Sequence, residues 1–558
     1  MFSASELARI PLFSTLGKNE LDYLAGTAAD LRLATGEYAV HEGEAQALFA
    51  IFEGMLEVTK TINGLERVIS TRGPGELFGE VPMVLDTPFP AGLRAKESAR
   101  VVRIEPKEFH TLAAMAPHVS KVVGAAAQER LRALLDIAAQ PPPPDATVIG
   151  PRSDDASHKL RDFLHRNQVP YDWLTPEEPG IKTLPVKQEM LQGRFPIVLL
   201  HDGTIMVDPP LRDLAKAVGL SVKAAHDTYD VVIVGGGPAG LAAAVYSASE
   251  GLRTVLLERH APGGQAGLSA RIENYLGFPT GVSGDELAIR ALKQAKRFGA
   301  EIVVTRSVEV IDANSRVVTL DGGEKLRTLT MILAMGVTWR RLNVESADRL
   351  TGRGIYYGAS RAEAILTHGK DVYLVGAGNS AGQAALYFAA HAKSVTILCR
   401  SDSLAKTMSY YLIQELKTKP NVSVELNSEV VAVYGDEQLE AIDVLCHTSG
   451  KVSRRETDSL FTFIGADADT KWLPQEIRRD NRGYVLTGAD VVKIGDGSSQ
   501  RDLYLLETAV RGIFAAGDVR AGSVKRVAAG VGEGSMSIAF VHQYLEQYAI
   551  TNKQAANR

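Results

Sequence analysis

Two glycine-rich loops, each set between a β-branched run and an alanine-rich run, restrict what this chain can fold into more than any other feature of it. Gly235-Gly236-Gly237-Pro238-Ala239-Gly240 follows Asp230 to Val234, and Gly376-Ala377-Gly378-Asn379-Ser380-Ala381 follows Val372 to Val375. Strand, glycine turn and helix in that order form a dinucleotide site. Gly235 permits the tight turn, Gly237 lets the backbone approach a pyrophosphate, and Gly240 lets the helix pack on its strand. The helix N-terminus, opening at Pro238 and Ala239, then turns free N–H groups and a partial positive charge toward the diphosphate. In the first unit Glu258 ends the next strand, about 20 positions after Gly237, where a carboxylate accepts ribose hydroxyls. In the second unit the same place holds Cys399-Arg400. A carboxylate would repel a 2'-phosphate and an arginine grips it, so NADPH is the expected donor at Gly376, Gly378, Asn379, Ser380, Ala381 and Arg400, with NADH the alternative.

Composition narrows the chemistry. With 61 Lys and Arg against 66 Asp and Glu, the net charge of -5 gives no global attraction for nucleic acid. The start of the chain has no basic stretch followed by an apolar one, and glycine or proline interrupts the most apolar run, so a cytoplasmic protein without a membrane span is expected. Cys399 and Cys446 are the only two cysteines. That excludes a disulfide framework and a cysteine-ligated metal cluster, and both read as core residues. Redox chemistry must come from a bound organic cofactor.

The pattern predicts a multidomain chain. Residues 1–138 read as a β-roll of short alternating strands with turn glycines, as over 48–58 with Gly54, closed by a helix near 120–135. Residues 139–145 form a proline-rich linker, since consecutive prolines favour an extended polyproline helix. Residues 146–224 read as a small α/β domain, with strands at 146–149, 171–174, 197–200 and 204–207 and helices at 157–167 and 210–218. Two Rossmann-like α/β nucleotide-binding domains follow.

From about residue 226 to 548 the chain resembles the thioredoxin reductase family. Gly263-Gly264-Gln265, Glu273-Asn274-Tyr275-Leu276-Gly277-Phe278-Pro279, Ala334-Met335-Gly336 and Gly512-Ile513-Phe514-Ala515-Ala516-Gly517-Asp518-Val519 carry the likeness. It implies FAD contacts at Gly264, Gln265, Asn274, Val308, Ala334, Gly336, Gly517 and Asp518, the aspartate meeting the ribityl chain. By the same resemblance Arg526, Val527 and Ala528 lie beside the flavin ring at the start of a helix, and the protein is a homodimer. The late motif implies a discontinuous FAD domain over 225–342 and 465–558, with the NAD(P)H domain at 343–464.

The chain departs from that family where a cysteine pair is due: Gly358 and Arg361 stand there, in Tyr356-Tyr357-Gly358-Ala359-Ser360-Arg361. Neither residue can attack or resolve a disulfide. The expected reaction passes electrons from NADPH through FAD to an external acceptor, such as a quinone, a dye, oxygen or a redox protein. Two alternatives stay open: disulfide reduction with a dithiol supplied by a partner, and a nucleotide- or redox-sensing role. Ser360 or Tyr357 can face the flavin there or simply fill space, and no general acid is named.

Residues 9–135 resemble a cyclic nucleotide-binding domain, with Gly79, Glu80 and Ala91 in its phosphate-binding cassette. Where that family has an arginine, Pro88 is followed by Phe89-Pro90-Ala91, and Arg94 falls at the opposite strand parity. A degenerate domain, used for contact or for another ligand, is expected. The middle segment resembles a glutaredoxin-like thioredoxin fold, with Phe195-Pro196 at the cis-proline position and without cysteines, so it is read as a docking or spacing domain.

Overall fold

The computed structural model describes residues 2–62, 65–139, 144–151, 154–269, 271–358, 367–494 and 502–556. The chain divides into two compact units, Met1–Pro144 and Asp145–Arg558.

The first unit faces two four-stranded antiparallel sheets against each other. One runs Ala29–Leu33, Ala99–Ile104, Leu48–Glu53, Leu77–Phe78; the other runs Tyr38–Val40, Gly92–Ala95, Leu56–Ile62, Leu65–Arg72. Alternation along the strands puts Phe49, Ile51, Val58, Leu93 and Val101 in the core between them. The run 48–58 holds two strands, Leu48–Glu53 and the start of Leu56–Ile62, parted at Gly54. At Gly54 the backbone has φ +85° and a Cβ would lie 2.5 Å from the Ser98 carbonyl oxygen, so the chain turns there. The closing helix, Pro117–Ala139, is longer at both ends than its pattern suggests and buries Val119 and Val123.

The second unit opens with a four-stranded sheet ordered Tyr171–Leu174, Ala146–Ile149, Ile197–Leu200, Ile205–Val207, the first pair parallel and the others antiparallel. Helices Asp155–Arg166 and Leu211–Ala217 flank it, the first capped by the Asp154 carboxylate, which accepts from the Ser157 N–H. The Phe195-Pro196 peptide is cis. Val148, Leu160, Leu164, Val198 and Leu214 of this segment share one buried apolar cluster with Val231, Ile233, Leu241 and Leu256, so it is packed into the next layer, not strung beside it.

That next layer is a seven-stranded sheet. Thr228–Val234 lies parallel between Thr254–Leu257 and Lys325–Leu333, and Ile513–Ala515, almost two hundred residues later, returns to pair with Lys325–Leu333. The other sheet has five parallel strands, with Asp371–Val375 between Leu460–Thr462 and Ser394–Cys399. Among the described residues no helix is long and apolar enough to cross a membrane.

Candidate flavin and nicotinamide site

The first glycine loop is shaped by contacts that only glycine allows. Gly235 has φ +102°, and a Cβ there would lie 2.5 Å from the Ala334 carbonyl oxygen; a Cβ on Gly240 would drive into the carbonyl oxygen of Gly235. Gly237 is the N-cap of helix Pro238–Ser249 and offers no side chain to its first turn, so those N–H groups face the cradle. Gly264, with φ +54°, closes the opposite wall: a Cβ there would stand 2.9 Å from the Gly237 Cα. The Gly263 N–H donates to the Gly236 carbonyl at 2.8 Å, and the Gln265 amide donates to the Val337 carbonyl. A diphosphate fits this cradle because nothing larger than hydrogen intrudes on it.

Glu258 is buried and accepts from the Gly236 N–H at 2.7 Å and the His260 N–H at 2.9 Å, which fixes its carboxylate at the strand end. On the far side the C-terminal helix Val527–Ala556 lies against helix Pro238–Ser249, where Gly534 meets the backbone of Ala239. Its buried Glu533 accepts from the Gly517 N–H at 2.7 Å and pairs with Arg520 at 2.5 Å. This clamp presents Asp518, half-buried, whose carboxylate accepts no hydrogen bond from a described residue. Burial pushes that carboxyl up, Lys525 opposes the rise and Glu533 adds to it. An under-satisfied carboxylate at the cradle wall suits a polyol chain. Ala334 and Gly336, the latter with φ +68°, follow strand Lys325–Leu333, while Arg526, Val527 and Ala528 open the C-terminal helix. Asn274 is exposed, and Val308 starts strand Val308–Asp312, paired with Leu320.

The second loop repeats the geometry. Gly376 has φ +141°, with the Phe463 carbonyl where a Cβ would go, and Gly378 caps helix Asn379–Ala389. Asn379 accepts from the Ser409 N–H at 2.7 Å, Ser380 is exposed and Ala381 is fully buried. Arg400 is 79% exposed with only a 3.9 Å approach to Glu429. Its guanidinium is open to a phosphate.

The two thiols do not form a pair. Cys399 is buried with its Sγ 3.2 Å from the Ser401 hydroxyl, and both cysteines are free. Cys446 corrects the expectation of burial: it is partly exposed at the end of strand Ala441–Cys446, and hydrogen bonds from the Ser449 side chain, then the Ser449 and Thr448 backbone, lower its pKa. Gly358 is buried with φ +141°, a conformation L side chains rarely adopt. Arg361 and Ser360 lie outside the described residues. The Tyr357 hydroxyl accepts from the Leu342 N–H at 2.9 Å.

One feature of the site had no signal in the sequence. The Arg166 guanidinium, from the last turn of helix Asp155–Arg166, donates to the Ala261, Pro262 and Gly264 carbonyls at 2.9, 3.3 and 3.1 Å. The flavin loop is thus held by a residue of the small α/β segment. Arg212 does the same for the Thr305 carbonyl at 2.7 Å, and His165 meets Asp285 at 3.2 Å.

In the first unit, Gly79 turns with φ +97° and Glu80 and Ala91 are buried. Phe89 fills the position of the absent arginine, stacked on Phe78 at 5.5 Å. Arg94 faces away and pairs with Glu57 at 2.7 Å.

A family model described as pyridine nucleotide-disulphide oxidoreductase matches residues 229–534, more than half of the chain, and the chain belongs to that family. A cyclic nucleotide-binding domain model matches residues 30–115. The thioredoxin reductase of Bacillus subtilis (strain 168) is 31% identical over 328 residues, 58% of this chain and 97% of that one. That of Treponema pallidum (strain Nichols) is 30% identical over 318 residues, 57% and 97% of the two chains. Among solved structures, the Lactococcus lactis thioredoxin reductase in its FR conformation superposes with a TM-score of 0.51 at 26% identity, covering 57% of this chain and 99% of that one. The T. acidophilum thioredoxin reductase gives a TM-score of 0.51 at 28% identity, covering 58% and 100%. The chain is therefore a thioredoxin reductase-like, FAD-dependent oxidoreductase carrying an N-terminal cyclic nucleotide-binding domain.

Proposed function

We propose that NADPH reduces FAD on this protein and that the electrons leave directly to an external acceptor, without an internal dithiol. The observation carrying this reading is the thiol inventory: two cysteines in the whole sequence, both in the second nucleotide-binding domain, one sealed in its core and neither paired with the other.

Bound FAD supplies acceptance of a hydride and release of its electrons. The chain supplies the rest. The N-terminus of helix Pro238–Ser249 holds the diphosphate, Glu258 the ribose hydroxyls and Asp518 the ribityl hydroxyls. Gly264, Gln265, Asn274, Val308, Ala334, Gly336 and Gly517 complete the FAD contacts. The start of the C-terminal helix, with Arg526, Val527 and Ala528, favours negative charge in the cradle. Gly376, Gly378, Asn379, Ser380 and Ala381 hold the dinucleotide, and Arg400 grips the 2'-phosphate, which selects NADPH over NADH. The segment 146–224 acts as a thioredoxin-like docking domain that has exchanged its redox role for a grip on the flavin loop. A homodimer is the proposed assembly, with a quinone, dye, oxygen or redox protein as acceptor.

The test is anaerobic reduction of the yellow protein by NADPH, followed by mixing with a quinone, a dye, oxygen and oxidised thioredoxin in turn. Rapid reoxidation by one of the first three supports the reading. Catalytic reoxidation by thioredoxin alone overturns it.

A further inference from the structure

The first unit holds a partly open cavity of about 110 Å³. Val58, Phe78 and Phe89 give it apolar walls, and Arg72, Arg130 and Glu80 carry its charge. Arg130 is already engaged, 3.3 Å from Glu80 and 3.6 Å from Glu76. Arg72 is different. It is 7% exposed, and its Nη1 donates to the Ser70 hydroxyl at 3.2 Å and the Thr71 carbonyl at 2.7 Å, but its buried Nε–H meets no acceptor. A buried guanidinium N–H without a partner is costly, and such groups in folded proteins mark a missing ligand or ion.

The lining fits one class of molecule. Glu80 and Glu76 both pair with Arg130, and among the described residues no carboxylate pairs with Arg72, so the cation left for an anion is Arg72. Because Nη1 is taken, the open edge of Arg72 is the Nε side of its fork, which matches a planar carboxylate. The remaining walls are hydrocarbon and aromatic. A cyclic nucleotide suits them badly: Phe89 stacks on Phe78 where a cation would meet the phosphate, and the Glu80 carboxylate, the ribose acceptor of the family, is held by Arg130.

We infer that this cavity binds a small apolar monocarboxylate, anchored at the Arg72 Nε–H with its body against Phe78, Phe89 and Val58. The site stands apart from the flavin chemistry, and its failure would leave the proposed reaction untouched.

Calorimetric titration of the full chain with phenylacetate, octanoate and cyclic AMP tests it, with flavin absorbance and thermal melting reporting the fold. One of the two carboxylates should bind at least about tenfold tighter than cyclic AMP, and Arg72→Gln should weaken it by about tenfold or more. Arg72→Lys keeps the charge but loses the fork, so it should also bind more weakly than wild type even where Arg72→Gln does not fold. Tighter binding of cyclic AMP, no saturable binding of either carboxylate, or unchanged affinity in a folded Arg72 variant would overturn the inference.

Discussion

At the scale of single residues, charge placement does most of the selecting. Arg400 stands 79% exposed at the strand end where the flavin domain has Glu258, so Arg400→Ala should raise the KM for NADPH about tenfold, the loss of one or two charge-assisted hydrogen bonds, and leave that for NADH nearly unchanged. Steady-state kinetics with both nucleotides checks it. Asp518 is the opposite case, a carboxyl raised by burial. A raised folded pKa means the protonated form is the stable one, so stability is fullest below the ordinary aspartate range and is lost as pH rises through the folded value. Asp518→Asn should therefore raise the melting temperature of flavin-stripped protein at neutral pH while weakening FAD binding, and unchanged FAD affinity would argue against its place at the ribityl chain. Glu6 and Asp30 titrate the other way. The Ser3 N–H and then Arg100 hold Glu6 near 2, and Arg100 holds Asp30 near 2, so their contribution is present above the ordinary carboxylate range and disappears as pH falls toward 2. Arg100→Met should lower the melting temperature at neutral pH and flatten its decline between about pH 4.5 and pH 2.

Among elements, the loop, strand and helix order around Gly235 and Gly376 is readable in the sequence because it is local: φ values, glycine positions and the next strand's end all fall within about 20 residues. A turn at Gly54 is readable too, but the Ser98 carbonyl that requires glycine there comes from a distant segment and is not. Nor is the partial exposure of Cys446, whose alternating strand context gives parity but not which face is covered. The docking of the small α/β segment was illegible for the same reason. Arg166 sits in a last turn where a basic residue ordinarily serves the helix dipole, and only the tertiary arrangement turns it onto three carbonyls of the flavin loop. Arg166→Met should loosen that loop and lower FAD affinity by about tenfold, as expected for lost hydrogen bonds from a charged donor. Flavin retention on gel filtration against free FAD fluorescence measures this; full retention would show the contact to be incidental.

For the whole molecule, the architecture retains the flavin and nicotinamide domains of its family while the sulfur relay is absent: Gly358 occupies one cysteine position in a backbone conformation that disfavours a side chain, and Cys399 is sealed in a core. Thiol chemistry is therefore expected to be dispensable. The most direct measurement is NADPH oxidation by the Cys399→Ser, Cys446→Ser double variant with a quinone acceptor, compared with wild type under the same conditions. Turnover within about twofold of wild type is the predicted result, and a loss of a hundredfold or more in a folded, flavin-loaded variant would contradict it.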